Sequence, residues 1–389
     1  MKKYEDVFEQ VERPFAWLDY DALDTNIAFV NEACADKQIR IATKSVRSVD
    51  ILKYIQQHLH CCTGFMSYTA AESVYLLEQG LDHLLLGYPV LEKASIRRLL
   101  NFVANGRDVT FMVDHIVQAQ LLSQLANEYE VTVQICIDIN VSSDLKVLYF
   151  GTKRSPLSSI DKLDRLLKEV LVLSGLIIVG VMGYDAQIAG LADRPLSKAK
   201  GVVIRALKQR SIKHVMQFRQ FAVAHVRAYT DLKFVNAGGS GSMQFSSKQP
   251  EVTEITVGSA FFAPALFDGY DSLQLTPAAG FALRVTRQFS ANTIVCHGGG
   301  YVASGAVGME KQPQFLQPQN FSLLSLEGAG EVQTPVKLLD AQQTIGDTVY
   351  FRHAKAGELC ERFNYLQTVR GDKDPGPNQT YRGDGRCFL

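Results

Sequence analysis

The sequence predicts an α/β protein, a (β/α)8 barrel of the TIM type followed by an all-β C-terminal domain. From about residue 39 to residue 262, short apolar strands alternate with helical patterns. Near-continuous apolar strands separated by helices imply a parallel sheet covered on both faces. Eight such units in roughly 220 residues match the size of a closed barrel. From about Asp271 the helical periodicity fades, and strand-like runs follow one another between Gly and Pro. These patterns put the barrel at residues 14–268 and the β domain at residues 269–389, with residues 1–13 free to pack against the latter.

The first barrel strand is Ile39-Arg40-Ile41-Ala42-Thr43, ending at Lys44-Ser45. Ser48 is placed to cap the helix that carries Ile51, Leu52, Ile55 and Leu59. The second strand lies near Cys61–Ser67. Thr69-Ala70-Ala71-Glu72 then reads as a capping box opening a helix that stops at Gly80. Strands three to eight are Asp82–Tyr88, Val109–Asp114, Val131–Ile139, Leu176–Met182, Leu232–Val235 and Glu254–Gly258. An open doubly wound sheet is the alternative, but its glycine fingerprint is missing after the first strand. Two long connections, Val141 to Leu157 and Gly183 to Asp231, have the length of functional walls or lids. In the β domain the expected strands are Phe281–Arg287, Asn292–His297, Ser322–Leu326, Thr348–His353 and Leu359–Gln367. The Gly- and Pro-rich tail from Gly371 is expected to be ordered only by docking.

Composition narrows the function classes. An apolar fraction of 47% and a charged fraction of 21% are ordinary for a soluble globular chain. With formal net charge +0, no global field steers the chain to nucleic acid or an anionic membrane. The N-terminus is charged and mixed, and the apolar run Leu171–Met182 is too short to span a bilayer. Seven scattered cysteines without a Cys-x-x-Cys pair suggest free thiols in a reducing cytoplasm.

Two stretches carry chemistry. A lysine at the carboxyl end of a parallel barrel strand sits at the mouth, where partial loss of water lowers an ammonium's pKa and makes it a nucleophile. That residue is Lys44, for which a surface lysine at a strand end is the structural alternative. The loop Ala237-Gly238-Gly239-Ser240-Gly241-Ser242 follows the seventh strand, at the rim where barrels bind phosphate through backbone N–H groups. A lysine nucleophile and a phosphate loop on one rim point to pyridoxal phosphate.

At these residues the chain resembles the pyridoxal-phosphate proteins of the alanine-racemase-like fold, in the branch of the D-threonine aldolases and D-serine dehydratases. The resemblance also rests on Pro14-Phe15-Ala16-Trp17-Leu18-Asp19, Met182-Gly183-Tyr184-Asp185-Ala186-Gln187 and Glu254-Ile255-Thr256-Val257-Gly258. It extends into the β domain through His297-Gly298-Gly299-Gly300-Tyr301 and Arg352-His353-Ala354-Lys355-Ala356-Gly357-Glu358, and the tail is similar to a subgroup called amino acid deaminase/aldolase. The resemblance implies that Lys44 is the Schiff-base lysine and that Gly239, Ser240 and Gly241 hold the phosphate. It places Tyr184 and Gln187 in the loop approaching the cofactor, and Arg154 at the cofactor's phenolic oxygen. A packed rim residue and a solvated charge are the structural alternatives for Tyr184 and Arg154. Asp138, at the end of strand five, could order Lys44 or Arg154, or cap a loop.

Relatives of that branch are expected to hold a divalent metal ion through a His-x-Asp or His-x-Cys pair, where this chain has His353-Ala354-Lys355. A charged lysine is no ligand. A hairpin of Thr348–His353 with Glu358–Phe363 would set His353 opposite Glu358, about 5 Å apart, either as a substitute metal pair or as an ordinary cross-strand His–Glu contact. Alternatively the metal is absent and Lys355 supplies the positive charge. Cys360 would share the Glu358 face, as a buried free thiol.

The implied activity is a lyase, an aldolase or dehydratase acting on a small β-hydroxy amino acid of D configuration, with His353 near the substrate hydroxyl. A racemase using Lys44 with Tyr301 or Tyr184, and a non-catalytic cofactor-binding protein, are the alternatives. The family implies a homodimer.

Overall fold

The computed structural model describes residues 2–144, 149–194, 198–305 and 308–389. Eight parallel strands close into a barrel at the expected places: Gln38–Ala42, Cys62–Ser67, Leu84–Leu86, Val109–Val113, Val133–Asp138, Leu176–Gly183, Phe234–Ala237 and Glu254–Val257. Each strand pairs with its sequence neighbour, and the eighth returns to the first, with Ile255 opposite Ile39. Outward residues such as Ile39, Ile41, Leu84 and Leu86 join the core under the helices, while Leu85, Met112, Cys136, Val179, Met182 and Phe234 fill the barrel centre. Gly180 is glycine because any Cβ there would collide with the Phe234 ring. Below this plug the buried Arg40 guanidinium donates to both oxygens of Glu254, at 2.7 and 2.8 Å. Asn236 Nδ2 and Thr63 Oγ1 also donate to Glu254, so this buried pair keeps its hydrogen bonds.

Two helix starts differ from expectation, for one reason. Thr69 does cap its helix, accepting from the Glu72 N–H at 3.1 Å. The Glu72 carboxylate does not reach back to Thr69. It accepts from the Tyr68 N–H at 2.8 Å and from the Tyr381 hydroxyl at 2.9 Å. Ser48 precedes the helix Val49–His58 but donates its hydroxyl to the Gln379 carbonyl at 2.7 Å instead of capping. In both cases a residue of the C-terminal tail bonds to the polar group, and for Glu72 the neighbouring Tyr68 N–H takes the other carboxylate oxygen. Tyr381 is fully buried there, its ring edge-on to Tyr75 and Phe388.

The β domain is built on the long strand Ala279–Ser290, which pairs antiparallel with Thr293–His297, Thr348–Arg352 and Phe15–Asp19. The strand Phe15–Asp19, at the head of the span assigned to the barrel, therefore hydrogen-bonds into the C-terminal sheet. It also pairs in parallel with Tyr365–Val369. Phe8, Phe15, Trp17, Tyr350 and Val369 form a small separate core on this sheet. The helix Lys2–Val7 covers it through Tyr4, 5.2 Å from Trp17 and 5.7 Å from Tyr350. Strands Gln314–Phe315, Gln333–Leu338 and Asn378–Gln379 were not expected.

The hairpin expected to join Thr348–His353 with Glu358–Phe363 does not form. Thr348–Arg352 pairs with Ala279–Ser290 and Gln314–Phe315, and Leu359–Glu361 is a 3-10 turn. The intervening loop is drawn onto the barrel instead. Ala265 and Leu266 donate their N–H groups to the carbonyls of His353 and Ala354, and Ala354 and Ala356 are buried. Of the stretch Leu359–Gln367, the extended part begins only at Tyr365.

Burial raises the Glu72 carboxyl from 4.5 to about 7, against the hydrogen bonds that favour its charged form. A carboxyl raised in the folded state adds stability at low pH that is lost as pH climbs from 4.5 through 7. Glu72→Gln is expected to remove this loss. Its stability relative to wild type should rise between pH 5 and pH 8, by about 2 kcal/mol. A pH-independent difference in thermal melts would contradict the assignment.

Candidate active site

The carboxyl ends of the barrel strands open into a cleft of about 420 Å³. Lys44 rises from the 3-10 turn Thr43–Ser45 directly after the first strand and is exposed to this cleft. Its Nζ donates to the Tyr88 hydroxyl at 2.6 Å. Tyr88 follows the third strand and carries no motif of its own, which is why sequence reasoning passed over it.

The opposite wall is charged. Arg154 lies over the Tyr184 ring, 5.7 Å from its centroid, and both line the cleft. Enclosure by the cleft walls pushes the Tyr184 hydroxyl up to about 12, the Asp185 carboxylate adding to this and Arg154 opposing it. Asp138 and Asp114 end strands five and four on the same cleft. Burial first, and the neighbouring Asp114 second, raise the Asp138 carboxyl to about 8, with Arg154 opposing. Asp138 thus holds its proton to higher pH than an ordinary carboxyl. Asp138 makes no hydrogen bond or ion pair with Lys44, and its backbone carbonyl accepts from the Ser155 hydroxyl at 2.5 Å.

The rim near strands seven and eight is backbone-rich. Gly238, Gly239, Ser240, Gly258 and Ser259 line the cleft. Gly238 has φ 94°, a conformation that favours glycine. The Ser240 hydroxyl accepts from the Ala260 N–H at 2.8 Å, tying the seventh loop to the eighth. Ser45 and Ser259 hydroxyls meet at 3.2 Å, tying the eighth loop to the Lys44 turn. A Cβ on Gly258 would come within 2.7 Å of Ser45 Oγ. The loop is anchored from below by Asp185, which is buried and accepts from the hydroxyls of Ser242 and Ser246 at 3.0 and 2.9 Å. Arg219, from the helix Lys198–Arg227, stands 3.7 Å from Asp185 and donates to the Gly183 carbonyl at 2.9 Å. Asp185 lay in a stretch the sequence singled out, but nothing local pointed to its partners across the fold.

The structure thus brings Lys44, Arg154, Tyr184, Gly239 and Ser240 to one cleft. Gly241 is packed behind the lining, where a Cβ would collide with the Ala189 carbonyl and approach Tyr270 Cε1 to 2.7 Å. Gln187 is buried and donates to the Val141 carbonyl at 2.8 Å, away from the lining. Tyr301 packs edge-on between Phe281 and Phe363, with ring centroids 4.8 and 5.1 Å away.

His353 and Glu358 are also outside the lining. His353 is buried, with Nδ1 3.1 Å from the Ala279 carbonyl. A carbonyl only accepts, so Nδ1 carries the hydrogen, and Nε2 is a bare lone pair without a partner among the described residues. Glu358 accepts from the Ser304 N–H at 2.9 Å and lies 3.8 Å from the Lys355 ammonium. With the hairpin gone, the cross-strand pairing that would have made His353 and Glu358 a metal pair is gone too. Among the described residues no three His, Cys, Asp or Glu side chains gather in a metal-binding group. Cys360 is a buried free thiol, as expected, pushed up to about 12 by burial.

The chain belongs to the alanine racemase N-terminal domain family, whose model matches residues 18–264. Its fold is that of a D-threonine aldolase from Filomicrobium marinum, with TM-score 0.80, 17% identity, and coverage of 97% of this chain and 96% of that one. A D-threo-3-hydroxyaspartate dehydratase from Delftia sp. HT23 superposes with TM-score 0.77 at 17% identity, over 96% of this chain and 99% of that one. A 3-hydroxy-D-aspartate aldolase from Paracoccus denitrificans (strain Pd 1222) is 23% identical over 266 residues, 66% of this chain. The chain spans 62% of the length of that curated relative. Among the described residues no helix is long and apolar enough to cross a membrane.

Burial lowers the His353 imidazole from 6.5 to about 4, with the Ala279 hydrogen bond opposing. A histidine lowered in the folded state adds stability above 6.5 that is lost as pH falls toward 4. His353→Asn is expected to flatten this acid limb of the melting curve, worth about 3 kcal/mol between pH 7 and pH 4. An unchanged acid limb in calorimetry would show that His353 is not buried neutral.

Proposed function

We propose that the protein is a pyridoxal-phosphate-dependent lyase, an aldolase or dehydratase acting on a small β-hydroxy amino acid of D configuration. The observation that carries this reading is one cleft joining the Lys44 amine to the glycine- and serine-lined rim of strands seven and eight. The names of the aldolase and dehydratase relatives support the reaction class. The cofactor supplies the electron sink at the substrate's α-carbon.

The residues present fit that group. Lys44 would hold its aldehyde carbon through Nζ. Gly239 and Ser240, with Gly258 and Ser259 of the adjoining loop, would take its phosphate, since all four line the cleft. Gly241 contributes by allowing the loop to pack against Ala189. Arg154 and Tyr184, which line the cleft together, would wall the substrate side, where the Arg154 cation would meet a carboxylate or phenolate oxygen. Asp138, its carboxyl raised to about 8, would be available as a hydrogen-bond donor on the cleft. The metal does not fit the residues in this way. His353 Nε2 is a single buried lone pair, and Glu358 is engaged elsewhere, so no step is assigned to a metal. A homodimer and a cytoplasmic location are proposed from the family and the cysteine usage.

Purified protein mixed with pyridoxal phosphate is expected to gain visible absorbance that borohydride removes and Lys44→Ala abolishes. Its absence would sink the reading. Incubation with D-serine and D-threonine, assayed for pyruvate, 2-oxobutanoate, glycine and acetaldehyde, separates dehydratase from aldolase. Gly241→Ala is expected to weaken cofactor binding about tenfold or more, by displacing the loop, with Lys44 still reactive. Unaltered affinity would move the phosphate site elsewhere.

A further inference from the structure

Tyr88 is a residue that neither the sequence motifs nor the proposed roles use. Its position is set by the chain's geometry. Leu84–Leu86 is a three-residue strand with all three side chains buried. Gly87 extends it by one hydrogen bond, its N–H donating to the Ser67 carbonyl at 2.9 Å. Gly87 is glycine because a Cβ would come within 2.8 Å of Met66 Cγ, so the backbone runs close over the barrel mouth before Tyr88 and Pro89 turn outward. The Tyr88 ring packs against the main core while its hydroxyl reaches the cleft. The Lys44 ammonium is 2.6 Å from that hydroxyl and 5.3 Å from the ring centroid, so it sits off the hydroxyl edge and not over the ring face.

This arrangement offers the phenol oxygen as acceptor to a protonated Nζ, and its O–H as donor once Nζ is neutral. The other titratable groups on the same cleft are Asp114, Asp138, Arg154 and Tyr184, from the ends of strands four to six. None of them has a hydrogen bond or ion pair with Nζ, whereas Tyr88 does.

We propose that Tyr88 is the proton partner of Lys44 and relays one proton between Nζ and the substrate's β-oxygen. The inference rests on the lyase reading given above. In the dehydratase direction, Nζ has taken the α-proton. An Nζ–H bond then breaks and an Oη–H bond forms, while the original phenol proton passes to the departing β-oxygen, which leaves as water. In the aldolase direction the same exchange runs in reverse. The β-hydroxyl gives its proton to Oη as the phenol proton moves to neutral Nζ, and the Cα–Cβ electron pair is left on the α-carbon. No proton is created or lost in either direction, and no oxidant or reductant is required.

The test uses the full-length protein with Tyr88→Phe, in two arms. In the first, cofactor-free protein is reductively methylated with formaldehyde and cyanoborohydride, and Lys44 is compared with exposed Lys93 by peptide mass spectrometry. Without the Tyr88 hydroxyl bonded to it, Nζ is freer to attack, so Lys44 should react several-fold faster in the variant, with Lys93 unchanged. Equal rates would overturn the pairing. In the second arm, the cofactor-loaded variant is assayed on D-serine and D-threonine. The kcat should fall about a hundredfold with KM nearly unchanged, and its pH profile should lose one limb. An unaltered kcat would overturn the relay. Lack of turnover by wild-type protein would overturn the lyase reading and the substrate half of the relay with it, while the methylation arm would still decide the Lys44–Tyr88 contact.

Discussion

The turn Lys44–Arg47, with the Lys44 carbonyl oxygen at its centre, is where the barrel, the β domain and the C-terminal tail meet. Arg47 folds back to donate its Nε–H to that oxygen at 2.9 Å, from a left-handed backbone with φ 54°. The same guanidinium reaches Glu361 of the β domain at 2.7 Å. Gly357, with φ 90°, lies so close that any Cβ would collide with the Lys44 oxygen. The tail adds a third hold, as the Tyr381 N–H donates to the Arg47 carbonyl at 2.9 Å. A strained, non-glycine conformation persists only where its surroundings over-determine it, and here three separate segments do so. The turn that aims the Lys44 amine is therefore held by residues more than 300 positions away in sequence.

The barrel supplies the other half of the constraint. Its centre is closed by apolar side chains, and its lower end by the Arg40–Glu254 pair with Asn236 and Thr63. The cleft consequently has a floor, and polar groups gather only at its mouth. Charges that would be costly in the barrel centre are tolerated there, because Arg154 is exposed and the Asp138 carboxyl is shifted toward its neutral form. The Asp185–Ser242–Ser246 contacts turn a glycine loop that would otherwise be a flexible turn into a defined rim.

The barrel was legible because each strand carries its own signal. Runs such as Leu84-Leu85-Leu86 must be buried on both faces, and only a covered parallel sheet does this eight times in succession. Lys44 and the Gly238–Ser242 loop were legible for the same local reason, as strand-end residues. The misreadings share the opposite cause. Ser48 and Glu72 have ideal local helix partners, yet both bond to a tail that lies 300 residues later. The segment Ala354–Gly357 has the length of a hairpin loop, but burial against Ala265 and Leu266 outweighed the turn. Separating His353 from Glu358 followed from that choice.

The sequence by itself determined the architecture, the strand that presents Lys44 and the loop that faces it, because periodicity and strand-end position are local properties of the chain. Only the tertiary structure decided which side chains share the cleft. It brought Tyr88 to the lysine, set Arg154 over Tyr184, and left Gln187, His353 and Glu358 outside. These pairings join residues from different strands of a closed barrel, and their distances depend on closure and on the docking of the β domain. No spacing within a single segment encodes them.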